Sequence, residues 1–489
     1  MKRIIPALSI MILLSLSLKS QNEVDALRYS RTTFGGSARF MAMGGAFGSL
    51  GADFSTLSTN PAGIALFKKS EFTFSPSLYI GQTVSTYNWT KRDDSKENFN
   101  MGNAGIVMTT KAENENSAFR YFQFGFGINR QNDFNRRIRI EGTNNENSIT
   151  DVWVDYANGI YYEDIENDTY GDFAYDLNPA WWTYLIDTIP GTVDQYYGAA
   201  EGGPVMQKKY ITSWGSQNEM VISGGANIKD RLYIGGTIGI PFIRYFEESN
   251  YGEIDEGDNF NGFQSLNVYQ YLRTTGSGIN LKFGLIARPI NWLRVGAAIH
   301  SPTWYNNMSD KWYTEFTSVA DNGEKLTSLS PEGRYNYRLE TPFRAIGSIS
   351  VVLWRIALIS ADYEYIDYSK SRLRAPDYYF DSENNAIRSM YTQTQNIRLG
   401  TEVRFGHFSI RGGAALYGSP FNEGINDAET IYYSGGFGYR DKHFYFDLSY
   451  TRGESTSDYY LYGSENVSVN PVSNQLITNN IVATTGFRF

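Results

Sequence analysis

From residue 71 to residue 489 the chain repeats segments of roughly 10–15 residues in which polar and apolar side chains alternate. In residues 443–451, apolar side chains occupy every second position from Phe444 to Tyr450, and Asp447 and Ser449 fall between them. Such alternation gives a strand one apolar and one polar face. The mean hydropathy of −0.39 excludes a bundle of transmembrane helices. The pattern predicts an all-β protein, a transmembrane antiparallel β-barrel, rather than a soluble sandwich.

The connections between these segments alternate in length. Short polar turns lie at residues 228–230, 289–291 and 440–442, and long loops lie between them, the longest at about residues 143–216. Short periplasmic turns and long extracellular loops are typical of outer-membrane barrels. We expect about 14 strands with both chain ends on the periplasmic side. The last strand ends at Phe489, which is similar to the terminal signal read by the barrel-insertion machinery.

The first 20 residues have the features of a secretory signal. Lys2 and Arg3 precede an apolar core from Ile4 to Leu18, so we expect residues 1–20 to be a cleaved signal peptide. The sequence has no cysteine and three histidines, which argues against disulfides and metal sites. Its net charge of −9 argues against nucleic-acid binding and suits contact with outer-membrane lipid and lipopolysaccharide. No catalytic constellation is present, so we predict no enzyme activity and no cofactor.

Residues 21–70 differ from the rest of the chain in being rich in small residues. Asp53 is placed to cap a short turn that begins at Phe54, and Asn60 followed by Pro61 is placed to cap a second one. We interpret this stretch as a compact plug of short helical turns inside the barrel. The alternative is the first helix of an ordinary globular domain.

Together these features resemble the FadL/TodX family of outer-membrane transport proteins, in its Bacteroidetes branch. The resemblance is carried by the sequence AMGGA at residues 42–46, NPAG at residues 60–63, and the strands that end in phenylalanine. It implies a monomeric barrel over residues 71–489, closed by an N-terminal hatch over residues 21–70. It also implies passive uptake of hydrophobic molecules such as long-chain fatty acids or aromatic hydrocarbons. The residues expected to define the closed hatch are Gly44, Gly45, Asn60, Pro61, Ala62 and Gly63.

The family opens a lateral path through the wall at a kink in an early strand, for which Gly125 and Gly127 are the candidates by position. Glycine on a lipid-facing strand is also common without such a role. A hydrophobic transporter requires an apolar capture surface, an apolar interior pocket and a gate. The predicted capture residues in the longest loop are Trp181, Trp182, Tyr184, Leu185 and Ile186, which alternatively fold the loop down as a lid.

Three arginines, Arg398, Arg404 and Arg411, are predicted to face the lumen, where they pair with a ligand carboxylate or with wall carboxylates such as Glu402 and Asp447. Two other functions remain open from the sequence. One is an outer-membrane barrel of the type IX secretion or cargo-shuttle kind, and the other is a haem-related receptor. The three scattered histidines give little support to the second.

Overall fold

A computed structural model describes residues 22–113, 117–354 and 356–489 of the chain. The predicted signal peptide, residues 1–20, lies outside these residues. The strands, in chain order, are β1 (Glu71–Tyr87), β2 (Thr90–Lys111), β3 (Phe119–Asp133), β4 (Arg136–Asn144), β5 (Ile186–Thr188), β6 (Tyr196–Gly198), β7 (Val205–Ile228), β8 (Leu232–Ile254), β9 (Ser265–Ile290), β10 (Leu293–His300), β11 (Trp304–Val319), β12 (Lys325–Leu329), β13 (Gly333–Glu340), β14 (Arg344–Leu353), β15 (Ala357–Asp367), β16 (Arg372–Arg374), β17 (Gln393–Phe405), β18 (Phe408–Tyr417), β19 (Thr430–Arg440), β20 (Phe444–Tyr459) and β21 (Val472–Arg488).

Fourteen of these strands form a closed antiparallel barrel, as predicted. The order around the wall is β1, β2, β3, β7, β8, β9, β10, β14, β15, β17, β18, β19, β20 and β21, and the pairing of β21 with β1 closes it. The strands β4, β11, β12, β13 and β16 extend the sheet at the end that carries the long loops. Closure leaves the wall without a free edge over most of its height.

The helices lie in the long loops and in the N-terminal segment. They are α1 (Glu23–Ser30), α2 (Ala38–Ala42), α3 (Ile149–Ala157), α4 (Tyr162–Asn167), α5 (Leu177–Trp182) and α6 (Asp381–Met390). Short 3-10 helices span Phe54–Ser58, Pro61–Leu66 and Tyr368–Lys370. None of the helices among the described residues has the length and apolar character needed to cross a membrane.

The wall alternates as the sequence predicts, with polar side chains inside and apolar side chains outside. On β17, Arg398 and Glu402 are buried in the lumen, whereas Ile397 and Leu399 are exposed on the outer surface. The outward apolar residues continue around the barrel and include Phe74, Phe124, Ile238, Leu281, Ile299, Ile349, Ile359, Ile410, Phe437, Leu448 and Ile481. An exposed apolar band around a closed barrel is the surface that a lipid bilayer covers.

The N-terminal segment fills the lumen from one end to the other. Helix α1 lies at the long-loop end, where Tyr391 Oη donates a hydrogen bond to Glu23 O at 3.1 Å and Leu27 packs in a cluster with Ile387 of α6. Two of the 3-10 helices lie near the short turns: Phe54–Ser58 packs against β2 and β3, and Pro61–Leu66 packs against β7, β8 and β9. The two ends of the barrel wall lie together at the short-turn end, as an even number of strands predicts, because Glu71 pairs with Arg488. Helix α1, which precedes the wall, lies at the opposite end, where its apolar side chains are buried beneath a loop helix.

Candidate functional site

The lower part of the plug, residues 37–67, has the local structure that its sequence predicts. Asp53 caps the first 3-10 helix by accepting a hydrogen bond from Ser55 N at 3.0 Å. Asn60 caps the second one by accepting from Ala62 N at 3.1 Å, and Pro61 occupies its first position. The amide of Asn60 also donates to Gly48 O and to Leu285 O on the wall. Because the Asn60 side chain both caps the 3-10 helix and donates a hydrogen bond to the wall, it fixes the position of the plug relative to the wall.

Lumen-facing glycines let the plug lie directly against the barrel backbone. A Cβ on Gly235 or on Gly284 would come within 2.8 Å of Ala62 N, and one on Gly400 would come within 2.5 Å of Met43 O. The plug backbone lies as close to Gly296 and Gly413, whereas at Gly105, Gly225 and Gly436 the side chains of Phe54, Ile64 and Ala42 occupy the space of the missing Cβ. Real Cβ atoms do not approach other atoms so closely, so glycine lets the plug fit at these wall positions. We call this set of wall glycines the glycine belt.

The predicted hatch glycines have related geometry. Gly44 and Gly45 adopt φ values of +60° and +75°, which favour glycine, and a Cβ on Gly44 would lie 3.0 Å from Ala414 O. Gly63 lies against Thr56 of the neighbouring turn. The structure thus brings Gly44, Gly45, Asn60, Pro61, Ala62 and Gly63 together as one packed body inside the barrel.

Ion pairs join the plug to the wall. Arg39 of α2 donates from Nε to Glu402 Oε2 at 2.8 Å, and Arg411 donates to the same oxygen at 2.7 Å. Arg411 also pairs with Asp447 at 2.6 Å. All four side chains are buried. A buried carboxylate shared by two buried arginines is a strong restraint, because removing it leaves buried positive charge without compensation.

The three predicted lumen arginines are all engaged by carboxylates of the wall. Arg398 pairs with Glu364 at 2.9 Å, and Arg404 and Arg411 both pair with Glu402. Arg404 lies at the short-turn end and is exposed. The sequence left two interpretations open for these arginines, pairing with a ligand carboxylate and pairing with wall carboxylates. The contacts in the structure are those of the second.

One cavity inside the lumen is polar and small. It measures about 80 Å³ and lies between α1, the segment at residues 32–35 and the wall. Its lining includes Glu219 paired with Lys282, Glu364 paired with Arg398, and Arg344. Pockets for organic ligands measure about 300–1,000 Å³ and are mostly apolar. This cavity is therefore too small and too polar to serve as the expected apolar interior pocket, because charged side chains line it.

The barrel wall is interrupted between β2 and β3. Their ladder ends where Asn103 pairs with Asn129, and above that point β2 pairs with β1 alone. Strand β3 continues with β7, with an irregularity between Arg130 and Asn132, and the chain then continues as β4. We call this interruption the wall break.

The wall break does not lie at the glycines predicted to form a kink. Gly125 and Gly127 both lie in regular ladder, where they pair with Val107 and Gly105 of β2. A Cβ on Gly125 would come within 2.8 Å of Leu57 in the plug. The predicted site of the lateral opening is therefore corrected. Gly125 and Gly127 make room for the plug, and the β2–β3 ladder ends a few residues further along β3, at Asn129.

The extended segment between α1 and α2 fills the wall break. Thr33 N donates to Gln131 O at 2.9 Å, and Asn132 Nδ2 donates to Arg31 O at 3.1 Å. On the other side, a Cβ on Gly102 of β2 would lie 2.6 Å from Gly36 O. Residues 31–36 therefore contact both edges of the break. We call them the seal segment.

Between the wall break and the long-loop end, the barrel wall consists of two overlapping layers. The hairpin of β1 and β2 lies over β4 and β7, with Asn88 Nδ2 donating to Thr143 O at 2.8 Å and Lys96 Nζ donating to Ser213 O at 3.1 Å. Arg92 pairs with Glu141 of β4 at 2.6 Å. Polar side chains thus join two overlapping layers that share no backbone ladder.

The longest loop folds into a cap over the long-loop end. Helices α3, α4 and α5 enclose a cluster that includes Trp153, whose ring lies 5.1 Å from that of Phe316 on β11. Leu185 and Ile186 are buried in this cluster, so the prediction that they capture ligand is wrong for this conformation. Trp181 is half-buried and stacks on Tyr162.

Two of the predicted capture residues do remain at the surface. Trp182 and Tyr184 are 52% and 69% exposed. Further exposed side chains on the same loop are Tyr161, Tyr170, Ile189, Val193 and Tyr197. The loop is therefore a lid with an apolar outer surface, which combines the two alternatives posed by the sequence.

Within residues 22–113, 117–354 and 356–489, no three His, Asp or Glu side chains converge as a metal site requires. The glycine belt and the wall break were not found from the sequence. The belt has a recognisable signal, which is glycine at lumen-facing positions of successive strands near the short turns. The break coincides with a polar interruption, QNDFN at residues 131–135, in an otherwise alternating strand.

Comparisons with known proteins bear on the fold. The chain is similar to a FadL homologue from Pseudomonas aeruginosa, with 12% identity, a TM-score of 0.56, and coverage of 94% of this chain and 99% of that one. It is also similar to the toluene transporter TodX from Pseudomonas putida, with 12% identity, a TM-score of 0.52, and coverage of 93% and 99%. At these identities the likeness establishes a shared fold. No family model and no curated protein matches the sequence.

Proposed function

We propose that this protein is an outer-membrane channel for passive uptake of hydrophobic molecules, such as long-chain fatty acids or aromatic hydrocarbons. The observation that carries the proposal is the wall break between β2 and β3, filled by residues 31–36. The fold shared with a FadL homologue and with the toluene transporter TodX supports the proposal. The apolar outer band supports placement in the outer membrane as an integral barrel. Closure of the sheet between β21 and β1 within one chain supports a monomer.

The proposed route runs from the lid to the side of the barrel. Trp182 and Tyr184 offer an exposed apolar surface at the outside, where a hydrophobic solute first binds. The axial route is blocked by the plug, whose backbone lies directly against the wall at Gly235, Gly284 and Gly400. A solute that cannot pass the plug leaves through the wall break into the bilayer, where its transfer from water is favourable.

The seal segment is the proposed gate. It is held to the wall by the Thr33 and Asn132 hydrogen bonds, by hydrogen bonds that Arg31 and Arg344 donate, and by ring contacts of Phe34 with Tyr417 and Tyr432. The lower plug is held by a buried ion pair and by the glycine belt. Each neutral hydrogen bond contributes only about 1 kcal/mol net, so we propose that residues 31–36 move and open the wall while the lower plug stays in place.

A disulfide across the break tests this function, because the sequence contains no native cysteine. Thr33→Cys combined with Gln131→Cys joins the seal segment to β3 at a position where their backbones are already hydrogen-bonded. Uptake of radiolabelled oleate is measured in cells of a Gram-negative host that lacks its own fatty-acid channel.

We expect the oxidised double variant to lose uptake and to regain it on reduction, while each single-cysteine variant transports like the parent. Full uptake by the oxidised protein, with the disulfide confirmed by mass spectrometry, would contradict the route. Absence of uptake by the parent, together with recovery of a large secreted cargo protein on the barrel, would favour the secretion alternative.

A further inference from the structure

The outer surface of β7, β8 and β9 changes character at Arg244. Along β8 the outward positions are apolar up to Ile240 and Phe242, and the next outward residue is Arg244. Ile238, Ile279 and Leu281, just below, belong to the exposed apolar band. Since the band marks the hydrocarbon region, Arg244 lies at the height of the lipid headgroups at the long-loop end.

A row of alternating cations and rings lies next to Arg244 on the same outer face. Trp214 and Phe246 are stacked, with ring centroids 5.3 Å apart and an angle of 4° between their planes. Lys96 Nζ lies 4.9 Å from the Trp214 ring, and Arg273 Cζ lies 5.6 Å from the Phe246 ring. Cation–π contact fixes both charges in place.

The outward direction of this row follows from strand alternation. Tyr245 packs with α1 inside the barrel, so its neighbour Phe246 points outwards. Phe246 pairs with Trp214 on β7 and with Arg273 on β9, which places all three on one face. Arg244 is a diagonal neighbour of Arg273, so their Cβ atoms are roughly 7–8 Å apart.

The two arginines are available to an anion. Both are exposed, and among the described parts of the chain no carboxylate lies within ion-pair distance of either guanidinium. Arg244 is flanked across the ladder by the hydroxyl residues Ser216 and Thr275. Two acidic residues lie near this patch: Glu248, one outward position above Phe246, and Asp133 of β3, which is opposite Ser216 in the ladder and pairs with Arg130 at 2.7 Å.

Elsewhere on the outer wall, Arg452 of β20 provides a contrast. It also points outwards at the long-loop end, but it pairs with Glu454 at 2.6 Å. A patch with two unpaired arginines is unexpected on a chain whose net charge is −9. Arginine without a partner binds phosphate well, because its planar guanidinium donates two parallel hydrogen bonds.

We infer that Arg244, Arg273 and Lys96, with Ser216 and Thr275, form a binding site for the phosphate groups of an outer-leaflet glycolipid of the lipid A type. The acyl chains would lie along the apolar residues below Arg244, and the phosphates would bind the two guanidinium groups. This inference rests on the proposed outer-membrane placement, with the long loops outside. It requires no participation in solute uptake.

The test compares Arg244→Gln/Arg273→Gln with the matched control Arg452→Gln. Each protein is reconstituted in phosphatidylcholine nanodiscs, diphosphoryl lipid A is titrated, and the bound fraction is read by native mass spectrometry. Heat-modified migration on gels verifies that each barrel is folded. We expect the double variant to raise the dissociation constant at least tenfold, while Arg452→Gln stays within twofold of the parent.

Phosphatidylglycerol and monophosphoryl lipid A serve as competing probes, and we expect both to bind more weakly than diphosphoryl lipid A. Unchanged binding by the folded double variant, equal loss in Arg452→Gln, or no binding by the parent would each overturn the site. Oleate uptake is measured separately in cells. If the parent does not take up oleate but binds lipid A through the two arginines, only the proposed function is refuted. If the parent takes up oleate and the double variant binds lipid A as well as the parent does, only the lipid A site is refuted.

Discussion

The glycine belt makes a quantitative prediction about the plug. In Gly235→Ala/Gly284→Ala, each new methyl group overlaps the backbone around Pro61 and Ala62. Overpacking of this kind costs about 1–3 kcal/mol per site, and two sites that press on the same turn are not additive. We take about 3 kcal/mol for the pair, which raises the ratio of displaced to seated plug roughly 150-fold.

The assay uses a single cysteine placed by Ala65→Cys in the otherwise cysteine-free chain, because Ala65 is completely buried in the seated plug. Its rate of reaction with a water-soluble thiol reagent reports the displaced fraction. We expect the double-alanine variant to react on the order of 100-fold faster than its parent. Gly347→Ala is the matched control, since a Cβ at Gly347 on β14 meets no atom within 4 Å. If the thiol in the double-alanine variant reacts at a rate within threefold of the parent's, as expected for Gly347→Ala, the glycine belt does not hold the plug in place.

Two further predictions concern charge. Glu402→Gln leaves Arg39 and Arg411 buried without their shared carboxylate, so we expect the free energy of unfolding to fall by about 3–5 kcal/mol in urea titrations. Glu454→Gln, in an exposed pair, should change it by less than about 1 kcal/mol; equal effects would contradict the account. In the cap, burial raises the pKa of Asp176 to about 7, with Asp168 and Asp172 adding to the shift. An acid whose pKa is raised on folding stabilises the fold at low pH and loses that contribution as the pH rises from about 4 to 7. We therefore expect protease to cleave the cap faster at pH 8 than at pH 5, and Asp176→Asn to remove that difference; an unchanged difference in the variant would count against it.

The barrel was predictable because strand faces follow from local alternation. Leu399 and Arg398 are assigned to opposite faces by their order in the chain alone, and the structure places them so. The caps at Asp53 and Asn60 were predictable for the same reason, since a cap needs only residues two or three positions apart.

The wall break was not predictable in this way, because it depends on which long-range pairs fail to form. Glycine in a strand signals either a bend or a close approach, and at Gly125 the sequence does not say which. The side chain of Leu57, which occupies the space above Gly125, comes from a segment 68 positions earlier in the chain.

Burial in the cap was likewise hidden from the sequence. The run that contains Trp182, Tyr184, Leu185 and Ile186 reads as uniformly apolar. Only the fold separates the exposed rings of the first two from the buried side chains of the last two. The lumen arginines were ambiguous for the same reason. The sequence does not show whether they pair with a ligand carboxylate or with wall carboxylates, and the fold brings them to Glu402 and Glu364 of the wall.

The most direct test of the account is to map where a hydrophobic solute lies as it crosses the protein. A photoactivatable fatty acid is irradiated with cells that express the channel, and the labelled residues are identified by mass spectrometry. The account predicts adducts at the wall break, on the seal segment near Phe34 and on the strand residues Met101 and Gln131 that flank it. Adducts on Pro61 to Gly63 and on the short turns, with none at the break, would show an axial route and contradict it.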